Sequence, residues 1–456
     1  MNKYCFNNIN LDKYQLKAIK CNKRAYLVVA GAGSGKTFTI CAKINYLIEN
    51  GFDEKKILCI SFTNETVNSL KDSLRKNNIN VEVKTFHRLS LDILGRKYNI
   101  ASSNYLEYIT NEYFESLVYK ENIKKLLPFI DDIDRIKNTI IRFINKFKSL
   151  NLDVKFLEKL LSDRKIKIDD KIILTFIYKV YRLYEEELKS ENKIDFNDMI
   201  NLSIDKIDNL RYFKYSYIIV DEYQDTSFSK YLMIKKLYDK FNLFLMAVGD
   251  DYQSIYSFNG CKLDLFTKFK RYFPKAKIIK LKNTYRNPSD IVNISKRFVM
   301  KNKNQINKKL ISNKNIEKCI VIVYVKDEKE AVKIIQEKEN NVLILARNNK
   351  DIEEYRKDCN LNCLTVHKSK GLESNNVIIL NVVDDVLGFP NKIKEDNILN
   401  YLDNFNSQEE ERRLFYVALT RTKNKVFIFT KRNIESIFVK ELIKHYKYKI
   451  KILDLT

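Results

Sequence analysis

The residues able to do chemistry gather at the ends of short apolar runs. In AYLVVAGAGSGKT, residues 25–37, three of the chain's nine glycines fall within five positions and are followed by Lys36 and Thr37. A glycine-rich turn between a strand and a helix points backbone N–H groups into one hollow, and the helix N-terminus adds positive partial charge. Such a cradle suits phosphate. Ala30, Gly31, Ala32, Gly33, Ser34 and Gly35 would line it, Lys36 would reach the β- and γ-phosphates, and Thr37 would ligate Mg²⁺. A second run, YIIVDEYQDTS, ends on Asp221 and Glu222. A carboxylate at a strand end can hold the metal (Asp221), and its neighbour (Glu222) can orient or deprotonate an attacking water. The two motifs together predict phosphoryl transfer from a nucleoside triphosphate to water. A third stretch, VGDDYQSIYSFNG (248–260), sets two acids and a glutamine after an apolar strand and lays aromatics directly behind them.

These residues need a scaffold that ends its strands along one edge. Apolar runs at 25–30, 57–62, 217–220, 243–248 and 277–281 form one series, and runs at 319–325, 341–346, 362–366, 376–383 and 425–429 form another. Brief β-rich runs alternating with helical patterns predict parallel, doubly wound sheets, and two series predict two α/β domains. Between residues 90 and 190 the apolar residues recur at three- and four-residue spacing instead, as in IDRIKNTIIRFINKFKSL. That block reads as an all-helical insertion in the first α/β domain. The expected division is 1–95 with 194–275 for the first domain, 96–193 for the insertion, and 276–456 for the second. Asparagine- and lysine-rich stretches at 300–318 and 391–407 read as linkers or mobile loops.

Composition narrows the class. The 456 residues are 45% hydrophobic and carry a formal charge of +25, enough apolar surface for several cores and a charge that suits a polyanion. Part of that charge follows a general richness in Lys, Asn and Ile. Eight scattered cysteines form no CxxC pair, so neither a disulfide framework nor a zinc site is indicated. The N-terminus has no apolar signal core and no run approaches 18 apolar residues, so the expectation is a cytoplasmic protein without membrane contact.

Kinases, transporters, GTPases, recombinases and helicases all share the first two motifs. The remaining motifs resemble those of the superfamily 1A DNA helicases of the UvrD/Rep/PcrA type, in family order: LDKYQLKAI, the phosphate loop, SFTNETVNSL, KTFHRLS, IDFNDMI, VDEYQDTS, VGDDYQSIYSFNG, LKNTYRNP, LTVHKSKGLE and EEERRLFYVALTRTK. The resemblance implies two RecA-like parallel-sheet P-loop domains, ATP and Mg²⁺ as cofactors, and 3′→5′ translocation on single-stranded DNA or unwinding at single/double-strand junctions. It places Gln15 and Tyr285 on adenine, Glu373 on the ribose, Gln253 on the γ-phosphate, and Arg286 and Arg421 across a cleft from Lys36. Arginine is scarce, 18 of 83 basic residues, so these two are not bulk charge. It also places Phe62, Phe86, His87, Phe196, Tyr256, Phe258 and His367 along a single strand, where aromatic faces grip any base at about 1–3 kcal/mol each.

The sequence departs from its relatives in places. Phe258-Asn259 stands where they carry Trp-Arg, and Phe38 stands where an arginine commonly flanks the base. Relatives insert a helical subdomain, 2B, where Lys357 to Asn362 leave room only for a turn, and the chain stops soon after EEERRLFYVALTRTK. These departures predict a compact translocase without a C-terminal nuclease or docking tail. Its strand separation either depends on a partner, such as a nuclease or repair protein, or is unrestrained. A second reading is a motor subunit that strips proteins from DNA or feeds a partner nuclease, in repair or phage defence, with little unwinding alone. An NTP-gated DNA-binding scaffold is the non-enzymatic alternative.

Overall fold

The computed structural model describes residues 5–6, 8–95, 98–119, 133–357, 361–393, 397–403 and 406–455. A short antiparallel pair, β1 (Cys5–Phe6) and β2 (Ile9–Asn10), precedes the helix α1 (Lys13–Ile19). The first lobe then runs through β3 (Ala25–Val29), α2 (Lys36–Glu49), β4 (Ile57–Ser61), α3 (Asn64–Arg75), β5 (Glu82–Thr85) and α4 (Phe86–Leu94). A two-residue parallel ribbon, β6 (Asn99–Ile100) with β7 (Lys193–Ile194), closes the neck of a helical unit. That unit holds α5 (Tyr105–Tyr119), α6 (Ile133–Ser149), α7 (Val154–Ser162) and α8 (Ile168–Ser190). The chain re-enters the first lobe as α9 (Phe196–Ile207), β8 (Tyr217–Val220), α10 (Phe228–Lys240), β9 (Phe244–Gly249), the short α11 (Leu263–Thr267) and α12 (Phe269–Tyr272), and β10 (Lys277–Lys280).

All pairings in the first six-stranded sheet are parallel, in the order β10-β3-β9-β8-β4-β5. Side chains along β3 alternate between two cores: Ala25, Leu27 and Val29 join one, Tyr26 and Val28 the other. Both faces are therefore covered, which is why the run reads as continuously apolar. Because β3, β9 and β8 are neighbours, the loops after Val29, Gly249 and Val220 leave the sheet side by side at its carboxyl edge, where α/β sheets bind ligands.

The second lobe contains α13 (Ser289–Val299), β11 (Ile320–Val325), α14 (Glu328–Lys338), β12 (Val342–Ala346), β13 (Asn362–Thr365), β14 (Ser374–Ile379), α15 (Ser407–Leu419), β15 (Thr422–Thr430), α16 (Ile437–Tyr446) and β16 (Ile450–Leu455). Its sheet, also wholly parallel, has the order β13-β12-β14-β15-β11-β16. The expected α/β class with two parallel-sheet domains and a helical unit in the first is what the chain forms.

Three expectations are corrected. The strand β10 pairs with β3, so the first sheet extends past the expected division at 275/276. Stretch 300–318 is no mobile linker: Lys308 is fully buried and Ile311 bridges to Asn283. Nor is stretch 391–407 simply a loop. Its described residues Asn397–Tyr401 form a 3₁₀ turn, and Ile398, Leu399 and Leu402 are buried in the core of the helical unit beside Phe143, Phe147 and Ile177. Tyr401 donates to Asp170 at 2.7 Å and Lys146 pairs with Asp403 at 2.7 Å, which fixes the carboxyl end of the docked segment. Residues 394–396 and 404–405, like 358–360 near the expected site of a missing 2B subdomain, lie outside the described residues. Strands β5 and β16 escaped the sequence reading because each is an edge strand of mixed polarity, EVKT and IKILDL.

Candidate nucleotide and nucleic-acid site

The phosphate loop forms as its composition requires. Gly33 and Gly35 both hold positive φ, 69° and 76°, conformations that L side chains resist. A Cβ on Gly33 would also strike Arg286, so the loop and the second lobe meet with no room for a side chain. Gly35 caps α2, and Gly31, Gly33, Ser34, Gly35, Lys36, Thr37 and Phe38 line a cavity of about 390 Å³. Glu222, Gln253, Tyr285, Arg286, Glu373 and Arg421 line the same cavity. Most of the residues proposed for the nucleotide are thus brought together from both lobes. Ala30 and Ala32 act through their backbone: their carbonyls accept from Lys308 at 2.9 Å and Thr284 at 2.7 Å. Gln15 is buried beside the loop and completes a capping box with Asp12 at the start of α1. Asp12 in turn accepts from the Tyr285 hydroxyl at 2.8 Å, which ties that exposed ring to the α1 cap.

The acids are held under tension of two kinds. Glu222 sits at φ 49°, a left-handed conformation that a glutamate adopts only where its surroundings over-determine it. Its carboxylate takes Lys36 Nζ at 2.5 Å and Gln224 Nε2 at 2.6 Å. Burial pushes the Glu222 carboxyl up, but Lys36 and Lys370 outweigh that and hold it below the usual range, whereas burial and the nearby Glu222 charge push Asp221 up. Thr37 and Asp221 offer hard oxygen donors of the kind Mg²⁺ prefers, Thr37 on the cavity wall and Asp221 at the end of β8.

Gln253 is the junction. Its amide nitrogen donates to Asp250 Oδ2 at 2.6 Å, its amide oxygen accepts from Arg421 at 2.9 Å, and its backbone carbonyl accepts from Lys370 at 2.9 Å. Arg421 is fully buried and also donates to the carbonyls of Val417 and Leu372. Burial, reinforced by the neighbouring Arg286, brings the Arg421 guanidinium down to about 9. Arg286 donates to Glu373 at 2.6 Å, and Lys423 reaches the other oxygen of Glu373 at 2.8 Å.

The aromatic candidates fall into two groups. Tyr256, Phe258 and His367 cluster with ring centroids 5.8–6.3 Å apart, and the Tyr256 hydroxyl donates to the His367 carbonyl at 3.1 Å. Phe258 is 42% exposed and lines a second cavity with His367, Arg347 and Arg142, so the first lobe, the second lobe and the helical unit share it. The second group holds His87 against Phe196 at 5.4 Å and Phe62 against Phe86 at 5.2 Å. Phe196 is 46% exposed, but Phe86 is 1% exposed and belongs to the core of the first lobe. Its expected place on the strand is therefore corrected: it backs Phe62 and offers no free face. Burial brings both His87 and His367 down to about 4, helped by Lys230 and by Arg347 respectively.

Sequence reasoning missed Lys314, Gly371 and Lys423 on the cavity wall, and Lys370, whose Nζ lies 2.5 Å from Asp225. Lys370 and Gly371 stand inside LTVHKSKGLE and Lys423 stands two residues past Arg421, so motif membership was the available signal. It missed Lys308 and Arg413 as well. Arg413 is buried and donates to the Ser254 carbonyl at 2.6 Å.

The comparisons agree with this geometry. The UvrD/REP helicase N-terminal domain matches residues 11–274, and the UvrD-like helicase C-terminal domain matches residues 340–433. The chain is 31% identical over 344 residues to the ATP-dependent DNA helicase Rep of Buchnera aphidicola subsp. Baizongia pistaciae, covering 71% of this chain and 48% of that protein. It is 28% identical over 488 residues to DNA helicase IV of Escherichia coli, covering 95% and 70%, and 30% identical over 316 residues to the Rep helicase of the same bacterium, covering 67% and 45%. For the Rep proteins it spans about half the length of the curated relative. The order of motifs, the two lobes and these matches together make the chain a member of the UvrD/REP helicase family.

Proposed function

We propose that the chain is an ATP-driven motor on single-stranded DNA, a helicase or translocase of 3′→5′ polarity. The observation that carries this reading is the position of Gln253. It touches one acid of the first lobe, Asp250, and two cations of the second, Arg421 and Lys370, on one side, and lies three residues before Tyr256 on the other. In this reading ATP draws the lobes together through Lys36, Gln253, Arg286 and Arg421, Glu222 accepts the proton of the attacking water, and Gln15, Phe38, Tyr285 and Glu373 hold the nucleoside. When bound, Mg²⁺ on Thr37 and Asp221 supplies charge for the phosphate oxygens. The shift of the lobes is transmitted along residues 253–258 to the strand that Tyr256, Phe258, His367, Phe62, Phe196 and His87 contact.

The shortness of the path from β12 to β13, residues 347–361, favours a second, narrower reading. Relatives place the 2B subdomain in that interval. A motor without it moves along one strand but leans on a partner, such as a nuclease or repair protein, to separate two.

Steady-state ATP hydrolysis with single strand, duplex, RNA or no nucleic acid, at several salt concentrations, tests the main reading. Stimulation by single strand that fades steeply with salt is expected, because Lys and Arg contacts to phosphate release counterions. Hydrolysis indifferent to every nucleic acid would remove the motor. Vigorous processive unwinding by the isolated protein would remove partner dependence.

A further inference from the structure

Lys308 lies in a polar stretch that no motif claims, yet like Arg421 it is fully buried. Its side chain has no exposure, and neither do those of its partners Asp250 and Asp251. The ammonium pairs with Asp250 Oδ1, with Asp251 Oδ1 at 2.7 Å and with the Ala30 carbonyl at 2.9 Å, and it lies 3.7 Å over the Tyr252 ring. One buried lysine thus joins the end of β3, where the phosphate loop begins, to the end of β9, where the Gln253 loop begins. Its own segment is anchored alongside: Asp251 Oδ2 accepts from the Ile306 amide at 2.7 Å and from Gln305 at 2.8 Å.

Asp250 uses its two oxygens differently. Oδ1 meets Lys308, while Oδ2 holds the Gln253 amide nitrogen at 2.6 Å. That second bond decides which way the amide faces, and so turns the Gln253 oxygen to Arg421. Without Lys308, two fully buried, adjacent carboxylates would lose the cation that pairs with both. The pair would move apart, and the acceptor that aligns Gln253 would be lost.

We propose that Lys308 is a positioning residue for terminal-phosphate recognition. It fixes Asp250, and through Asp250 the orientation of Gln253, so the segment crossing between the lobes is wired to the phosphate sensor. The inference rests on the nucleotide site proposed above but not on DNA, and its test can be read without either hydrolysis or DNA.

The test measures the binding of Mg²⁺-ADP and of a non-hydrolysable Mg²⁺-ATP analogue to the full chain by fluorescence titration. Four proteins are compared: unaltered, Lys308→Met/Asp251→Asn, Gln253→Ala, and the three changes combined. Asp251→Asn removes the surplus buried charge but leaves Asp250 without the ammonium that fixes it, so the variant keeps its fold, as a thermal melt checks, while the Asp250–Gln253 bond loses its anchor. The expected result is a preference for the triphosphate in the unaltered protein that drops about tenfold in Lys308→Met/Asp251→Asn, the size of one hydrogen bond to a charged group. ADP affinity stays within about twofold, as the intact phosphate loop predicts. In the Gln253→Ala background the further drop vanishes, because the lysine acts through that amide. A variant that keeps the original preference overturns the proposal, as do losses that multiply when the changes are combined. If Lys308→Met/Asp251→Asn unfolds, Lys308→Arg is measured instead: a preserved ADP affinity with reduced triphosphate preference supports the proposal, and equal weakening of both nucleotides overturns it. A protein that discriminates the triphosphate but hydrolyses ATP identically with and without DNA would end the motor reading and leave this one standing.

Discussion

The two six-stranded sheets share a wholly parallel architecture, yet the edges they turn to the nucleotide cavity, the carboxyl edge of the first and the amino edge of the second, carry opposite chemistry. The first presents acids and an amide beside the phosphate loop: Asp221, Glu222, Asp250, Asp251 and Gln253. The second, with the segment leading into it, presents cations: Arg286, Lys370, Arg421 and Lys423. Lys370 to Asp225 and Arg421 to Gln253 join the two at 2.5 and 2.9 Å. Neither edge is self-sufficient. Arg421 without Gln253, or Glu222 without Lys370, would leave buried charge less compensated, so each lobe's site is finished by the other.

Removing a group from either edge breaks that complementarity. Lys36→Ala and Glu222→Gln should bring hydrolysis to background, the largest effect, read as phosphate release from a protein whose melting is retained. Arg421→Ala and Arg286→Ala should each slow turnover about a thousandfold, as loss of a charge-stabilising arginine does elsewhere. If turnover in both persisted near the unaltered level, the second edge would be structural only. On the aromatic side, Phe258→Ala should raise the single-strand concentration for half-stimulation about tenfold, the loss of one stacked base.

The smallest effect concerns His87 in the first lobe and His367 in the second, both brought down to about 4. The unfolded chain binds a proton on each near the ordinary value of 6.5, so it holds more protons than the folded chain between pH 6.5 and 4. Their contribution to stability is complete above that window and is lost as pH falls through it. Urea unfolding from pH 7.5 to 4.5 should show the decline, and His87→Gln with His367→Gln should flatten it. A decline unchanged by both substitutions would assign it to the carboxylates.

Much of the nucleotide site was legible because its chemistry is local: Lys36 and Thr37 are adjacent, as are Asp221 and Glu222, and each pair closes an apolar run. Lys308 was illegible for the opposite reason. Among so many lysines nothing nearby marks one as buried, since its partners lie 57 and 58 positions away. Phe62 and Phe86 illustrate a second limit, because an aromatic next to a strand end reads the same whether its ring faces a groove or the core behind it. Ile398, Leu399 and Leu402 illustrate a third: three apolar residues in a polar stretch are too few to set a period, and their burial comes from a distant helical unit.

That last anchorage closes a mechanical circuit. The helical unit is rooted in the first lobe through the β6–β7 neck, and Asn397–Asp403 plugs a strut from the second lobe into its middle. Gly260 adds a weld, since the turn it ends abuts Ser149 at the tail of α6. A swing of one lobe therefore cannot pivot freely about the cleft: the helical unit must ride along, or three greasy side chains must come unplugged into water.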